Sequence, residues 1–270
     1  MNSVSVLMTC FNRKDKTLKS LESLFQQQAN VDVYLVDDGC TDGTHEAVAQ
    51  QFPQVNIIQG TGNLFWNRGM HLAWSTAASA KDYDFYLWLN DDVTLYKNAI
   101  HELFTTYHAA GGNDVVVCAP LQSPTKKEVS YGGLGKNGLL APNGIYQECL
   151  TMNGNCVLIP RTVYQKTGNL DVCFHHAIGD LDYGHRARKT GAKIYTTPCF
   201  VGVCERNPIL PKWCMKEIPL LERIKILYSP LGNAVPTHFF IYEKRHLGLF
   251  IAIKHFISIH IRLIFPRLWK

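Results

Sequence analysis

The fold of this chain is decided by the stretch Phe85-Tyr86-Leu87-Trp88-Leu89-Asn90-Asp91-Asp92-Val93. Its five leading apolar or aromatic residues predict a strand that is covered on both faces, as in a parallel sheet. Asn90, Asp91 and Asp92 then follow at the carboxyl end of this strand, where open α/β sheets bind ligands. Two adjacent carboxylates there favour a hard divalent cation, Mg²⁺ or Mn²⁺. An acidic turn or helix N-cap leading into residues 97–107 is the structural alternative.

Strand and helix patterns alternate on both sides of this stretch. Further strands are predicted at 4–8, 31–36, 55–58 and 115–119, and helices around 18–25, 46–51, 70–80 and 97–107. Four alternations within about 110 residues indicate an α/β fold with a mostly parallel, doubly wound sheet and helices on both faces. The second half of the chain predicts loops and short hairpins at 121–150, a strand at 152–159, a short helix ending at 168, a helix from Asp180 to a stop at Gly191, and a strand at 193–196.

Composition excludes several classes of protein. At 270 residues, with 46% hydrophobic and 18% charged residues, the chain is long enough to bury a core and is not disordered. A net charge of +5 is too small to predict nucleic-acid binding. The nine cysteines show no zinc-finger spacing, and residues 1–7 lack the features of a signal peptide. We therefore expect reduced thiols in a cytoplasmic protein.

Polar side chains recur at the ends of the predicted strands. If the first half of the chain is taken as a sugar-nucleotide site, Asp37 or Asp38 can accept a hydrogen bond from the N3–H of a uracil or thymine and from ribose hydroxyls, and Thr9 offers a hydroxyl. Asp92, with Asp91, would hold a metal ion against a diphosphate. Side chains predicted to complete this donor set are Asn12 after the first strand and, in the glycine-rich loop 60–69, Asn63 and Arg68. For Arg68, a phosphate contact and a surface ion pair both remain open.

Asp180 is the candidate general base. A carboxylate at a helix N-terminus can take the proton of an attacking hydroxyl, and it can equally cap the helix. Asp182 and Arg186, four residues apart, are expected to form a structural ion pair.

Residues 243–269 are apolar but interrupted by basic residues and histidines. On a helical wheel Lys244, His255, Ser258 and Arg262 fall on one side. Lys254 and His255 break the apolar run, so the segment is too short to span a membrane and is predicted to lie on an anionic membrane surface. An amphipathic helix packed on the domain is the alternative.

The chain resembles glycosyltransferase family 2, whose members have the nucleotide-diphospho-sugar transferase (GT-A) fold. The resemblance lies in Val6–Arg13, Leu35–Thr44, Asn90–Asp92 and Gly179–Arg186, which occur in family order over residues 4–191. It implies inverting transfer from a nucleotide sugar, with Asp37 and Asp38 as nucleotide contacts, Asp92 as the metal-binding acid and Asp180 as the base. Residues 62–70 resemble the bacterial rhamnosyltransferase-like branch, which favours dTDP-rhamnose or a UDP-sugar.

Three positions depart from the family pattern. The usual Asp-x-Asp is Asn90-Asp91-Asp92, which makes Asp92 the firmer ligand, and the frequent Glu-Asp is Gly179-Asp180. Many members also carry a later histidine near the metal, and residues 203–206 contain none.

The resemblance implies a cytoplasmic bacterial enzyme, peripheral at the inner membrane, which adds a sugar to a lipid-linked oligosaccharide for O-antigen, capsule or a related polymer. Donor binding is expected in residues 1–118, acceptor binding and the base in 119–205, and membrane contact in 206–270. A sugar-nucleotide nucleotidyltransferase would need a glycine-rich basic loop after the first strand, which Thr9–Asn12 does not supply. A non-catalytic glycan-binding relative would be expected to lack the acidic strand ends.

Overall fold

The computed structural model describes residues 2–206, 211–232 and 234–268. The strands are β1 (Val4–Cys10), β2 (Val31–Asp37), β3 (Asn56–Gln59), β4 (Phe85–Leu89), β5 (Thr94–Leu95), β6 (Val115–Cys118), β7 (Leu121–Gln122), β8 (Val129–Tyr131), β9 (Gly133–Gly135), β10 (Gly138–Leu139), β11 (Gln147–Glu148), β12 (Thr151–Met152), β13 (Cys156–Pro160), β14 (Lys193–Thr196) and β15 (Gly202–Val203). The α-helices are α1 (Lys14–Phe25), α2 (Thr44–Gln51), α3 (Phe65–Ala80), α4 (Ala99–Ala109), α5 (Arg161–Thr167), α6 (Gly179–Lys189), α7 (Leu220–Leu227), α8 (Pro236–His246) and α9 (Leu249–Ile264).

The main sheet has eight strands in the order β11-β14-β6-β13-β4-β1-β2-β3. Strands β3, β2, β1 and β4 pair in parallel, whereas β13 runs antiparallel between β4 and β6. Two small sheets, β10-β9-β12 and β5-β15-β7-β8, lie beside it. The predicted mostly parallel α/β sheet is confirmed, and residues 121–150 form short strands and loops as expected.

Helices cover both faces of the sheet because side chains alternate along each buried strand. Val6 and Met8 of β1 face a core shared with α1, α2 and α4, while Leu7 faces a core shared with α3, α5 and α6. The aromatic run of β4 divides in the same way, with Phe85 on the first face and Trp88 on the second. The stretch 85–89 is therefore buried on both sides, as its composition predicts.

The start of α3 and the strand predicted at 152–159 differ from the prediction in ways that shape the site. Helix α3 begins at Phe65 and not near Met70. The carboxylate of Asp38, just after β2, accepts the backbone N–H groups of Leu64 and Phe65 at 2.9 Å each, and it therefore caps the start of this helix. The predicted strand 152–159 is divided into β12 and β13 by a turn at 153–155. This turn brings Gly154 to the start of α6.

The C-terminal part differs from a single amphipathic helix. Gly248 has a φ of +98° and separates α8 from α9, so Lys244 lies on a different helix from His255, Ser258 and Arg262. Residue 269, the predicted end of the segment, lies outside the described residues. Trp213, Cys214, Leu227 and Leu263 form a separate small core. Among the described helices, none is long and apolar enough to cross a membrane.

Candidate functional site

The polar ends of β2, β1 and β4 lie side by side at one edge of the main sheet. Cys10, the last residue of β1, is in register with Asp37, the last residue of β2, and the Asp38 N–H donates to the Cys10 carbonyl at 3.0 Å. Strand β4 is the other neighbour of β1, so Asp91 and Asp92 follow at the same edge. Strand order thus brings together three segments that are distant in sequence.

The carboxylates of Asp91 and Asp92, which follow β4, both contact the guanidinium group of one arginine. Arg13 Nη1 lies 3.3 Å from Asp91 Oδ1 and 3.0 Å from Asp92 Oδ2. Burial raises the pKa of Asp91 to about 7, although the Arg13 guanidinium opposes this shift. A pair of carboxylates, one buried and one partly buried, that needs a positive charge between its members fits the oxygen-ligand preference of Mg²⁺ or Mn²⁺.

Cys204 lies where many family members carry a late histidine. Its thiol donates to Asp92 Oδ1 at 3.5 Å. The segment around residue 204 therefore does reach the acids that follow β4, but with sulfur and not with imidazole. The contact between Cys204 and Asp92 could not be predicted from the sequence, because it depends on the pairing of β15 with β5 and β7.

The two acids after β2 have different surroundings. Asp37 Oδ1 accepts the N–H of Cys40 at 2.7 Å, and its Oδ2 lies 3.1 Å from His45 Nδ1. Asp38 is turned to the other side, where Gly62, Leu64 and Phe65 donate three backbone N–H groups to its carboxylate. Asp38 therefore holds the glycine-rich loop and the start of α3, whereas the equally buried Asp37 carboxylate contacts Cys40 and His45.

The remaining residues of the predicted donor set are spread around this edge. Thr9 is buried against α3, where a Cβ at Gly69 would overlap its hydroxyl. Asn12 Oδ1 accepts the Thr41 N–H at 2.7 Å and so ties the β1 end to the loop after β2. Asn63 is exposed.

Arg68 points elsewhere. Its Nε donates to the carbonyl of Val172 at 2.9 Å, and within the described ranges neither Asp91 nor Asp92 pairs with it. The positive residue at the two acids is Arg13, which the sequence reading did not single out.

Asp180 occupies the first turn of α6, as expected, and its carboxylate is held by backbone. Gly154 N–H donates to Oδ2 at 2.9 Å and Leu181 N–H donates to Oδ1 at 2.8 Å. Burial raises the pKa of Asp180, against these hydrogen bonds. A partly buried carboxylate with a raised pKa suits a group that must take up a proton during a reaction.

Trp66 connects the surroundings of Asp180 to the segment that follows β4. Its Nε1 donates to Asn90 Oδ1 at 2.7 Å, and its ring lies so close to Gly154 that a Cβ there would be 2.5 Å from it. That same Cβ would be 3.2 Å from Asp180 Cβ. One indole thus lies between the residue preceding Asp91 and the residue that binds Asp180. The sequence predicts residue 66 within the glycine-rich loop 60–69, whereas in the structure it lies in the first turn of α3.

These features agree with the comparisons with known proteins. The family model for glycosyl transferase family 2 matches residues 5–168, and the chain belongs to this family. Curated relatives from two strains of Mycobacterium tuberculosis, each an N-acetylglucosaminyl-diphospho-decaprenol L-rhamnosyltransferase, are 25% identical over 190 residues, or 60% of this chain. The match spans 62% of those relatives' own length.

Solved structures show the same fold at low identity. A mannosyltransferase from Pyrobaculum calidifontis, in complex with GDP-Man and Mn²⁺, is 17% identical with a TM-score of 0.54, covering 77% of this chain and 57% of that one. The 1–349 fragment of S. aureus TarS in complex with UDP is 15% identical with a TM-score of 0.56, covering 90% and 71%. The fold is therefore that of the GT-A glycosyltransferases.

Proposed function

We propose that this protein is an inverting glycosyltransferase that moves a sugar from a UDP- or dTDP-diphospho-sugar to a hydroxyl of a lipid-linked glycan. The observation that supports the proposal is the connection through Trp66, which holds the Asp180 carboxylate on the same side of the sheet as Asp91 and Asp92. A glycosyl transfer needs both parts within one cavity, because the acceptor must lose a proton as the diphosphate leaves.

Each part of the edge has a separate task in this proposal. Asp37 binds the base or ribose of the nucleotide, and Arg13 contacts the diphosphate. A Mg²⁺ or Mn²⁺ ion held by Asp91 and Asp92 would stabilise the negative charge of the leaving nucleoside diphosphate. Asp180 accepts the proton of the attacking hydroxyl, and the N–H groups of Gly154 and Leu181 keep its carboxylate oriented.

The identity of donor and acceptor rests on the relatives. The curated relatives are named as rhamnosyltransferases that act on a decaprenol-linked N-acetylglucosaminyl diphosphate, and one structural neighbour binds UDP. We therefore propose dTDP-rhamnose or a UDP-sugar as donor and a polyprenol-linked saccharide as acceptor, in bacterial surface polysaccharide synthesis such as O-antigen or capsule.

A polyprenol-linked acceptor would lie in a membrane, and α9 has an exposed apolar face that could bind a membrane surface. Phe250, Ile253, Ile257, Ile261 and Ile264 recur at helical spacing on this helix, and they expose between 45% and 81% of their surface. Exposed Lys254 is on the same helix. We propose that α9 lies on the cytoplasmic face of an anionic membrane, with its apolar stripe among the lipids.

The test of the transferase proposal is Asp180→Asn. We expect transfer to fall by about 100-fold or more, the range that general-base catalysis contributes. Binding of UDP or dTDP with Mn²⁺, measured by thermal shift, should remain, because Asp180 is not among the donor residues. Asp82→Asn changes an exposed carboxylate in the same way and should leave both measurements unchanged.

The pH profile gives a second readout. The base must be ionised to act, and its pKa is raised, so kcat/KM should decline as pH falls through a value above the roughly 3.9 of a free aspartate. Wild-type transfer rates in Asp180→Asn would contradict the proposal, as would the absence of a thermal shift with every nucleotide tested.

A further inference from the structure

Two cysteines from different segments meet beside Asp37. Cys10 ends β1 and is buried, whereas Cys40 is partly exposed in the loop after β2. Their sulfur atoms are 3.8 Å apart, and both thiols are free. No cysteine spacing in the sequence indicated this pair, because thirty residues separate its members and only the parallel pairing of β1 with β2 brings them together.

The separation of the two sulfurs matches a metal site. Two thiolates that each lie about 2.3 Å from a zinc ion at the tetrahedral angle are about 3.8 Å apart. The carboxylate of Asp37 provides a third ligand, since one ligand atom from each of Cys10, Asp37 and Cys40 lies within 4.8 Å of the others. We propose that these three residues bind a thiophilic divalent cation such as zinc.

Surrounding groups already orient two of the three ligands, Cys40 and Asp37. The Asn12 N–H points to Cys40 Sγ at 3.3 Å, which favours a thiolate there. The Cys40 N–H and His45 Nδ1 fix the Asp37 carboxylate, and a carboxylate has lone pairs left for a metal after two hydrogen bonds. Binding releases the two thiol protons to solvent. Cys40 provides the solvent-exposed side, so an ion can enter and water can fill the fourth position.

This site differs from the one at Asp91 and Asp92 in its ligand chemistry. Two sulfurs select zinc, cadmium or cobalt over magnesium, whereas the carboxylate pair selects hard ions. It also shares Asp37 with the proposed nucleotide site. If the proposed function holds, a thiophilic ion and the nucleotide compete for Asp37, and zinc acts as an inhibitor.

Cobalt is the probe for the cation site. We titrate the reduced full-length protein with Co²⁺, without nucleotide, and record the near-ultraviolet sulfur-to-cobalt charge-transfer absorption. We expect one equivalent per chain to give this absorption and zinc to abolish it. Cys40→Ser should remove the absorption, while Cys199→Ser, which changes an exposed cysteine elsewhere, should not.

Further variants keep the result unambiguous. Cys10→Ser repeats the test at the buried position, and the melting temperature of each variant shows whether it is folded. Cys204→Ser examines the thiol that donates to Asp92. An absorption that survives Cys40→Ser but disappears in Cys204→Ser would overturn the proposal, and so would its absence from the reduced wild-type protein.

Competition with UDP separates this inference from the proposed function. We expect saturating zinc to weaken UDP affinity at least about tenfold in the wild type and to have little effect in Cys40→Ser. Cobalt absorption with undiminished UDP affinity would support the cation site and count against Asp37 as a nucleotide contact. Loss of the absorption overturns the cation site whatever the nucleotide does.

Discussion

Gly179 shows how one residue can account for a departure from the family pattern. Many relatives have a carboxylate before the base, and this chain has a glycine. In the structure a Cβ at Gly179 would overlap Oδ1 of Asn67, a fully buried residue of α3. Asn67 Nδ2 donates to the carbonyls of Asp171 and Phe174, so the amide is held in place. The start of α6 is thus packed so closely on α3 that residue 179 has no room for a side chain.

We therefore expect Gly179→Ala to destabilise the protein. Overpacking typically costs about 1–3 kcal/mol, and here the overlapping atom is held by two hydrogen bonds. Denaturant unfolding of Gly179→Ala, Asn67→Ala and the double variant measures the coupling between the two positions. The cost of the alanine should decrease when Asn67 is shortened. An equal cost in both backgrounds would show that Asn67 does not define this position.

At the scale of elements, α8 is fastened to the helix that carries the proposed base. Asp182 of α6 is fully buried and binds Arg186 at 2.7 Å, the expected i,i+4 pair. Its other oxygen receives Arg245 at 2.7 Å and lies 2.8 Å from His246, both from the end of α8. Three partners from two helices thus meet on one carboxylate, two residues from Asp180.

Asp182→Ala should consequently loosen α8 as well as destabilise the fold. Removing one member of a buried ion pair costs about 3–5 kcal/mol, because here Arg186 would lose its carboxylate partner. Asp171→Ala is the matched control, since Asp171 binds the same Arg245 at 2.8 Å but is partly exposed. It should cost about 1 kcal/mol or less. Amide hydrogen exchange should become faster in α8 of Asp182→Ala than in α8 of Asp171→Ala. Equal protection of α8 in both variants would show that Asp182 does not hold α8 on α6.

The elements themselves could be predicted from the sequence, whereas several contacts of the site could not. Apolar runs and their polar ends are local signals, and they located β4, the start of α6 and the acids at the sheet edge. The contacts of Arg13, Trp66 and Cys204 could not be predicted. Each residue meets its partner only because of the strand order or the path of a loop, and hydrophobic periodicity does not encode either of these. Asp38 was predicted at the correct edge of the sheet, but its carboxylate accepts hydrogen bonds from the backbone of residues 62–65.

At the scale of the whole molecule, the exposed stripe of α9 is joined to the proposed acceptor side through α8. Glu243 of α8 pairs with His255 of α9, and Phe240 packs edge-on against Phe256. Because α8 is fixed to α6 through Asp182, a membrane under α9 would hold the Asp180 helix at a defined distance from the lipid headgroups. Such an arrangement suits an acceptor whose saccharide projects from a lipid.

Vesicle binding tests this arrangement. The full chain should float with vesicles of phosphatidylglycerol and more weakly with neutral phosphatidylcholine, because each basic residue near an anionic surface contributes about 1 kcal/mol. Phe250→Ser with Ile257→Ser should weaken binding at least about tenfold, since burying each such side chain contributes about 1.5–3 kcal/mol. Ile145→Ser with Val172→Ser removes two exposed apolar side chains outside α9 and should have no effect. If both pairs of substitutions bind vesicles like the wild type, the stripe does not dock on lipid. The acceptor must then reach Asp180 without the help of α9.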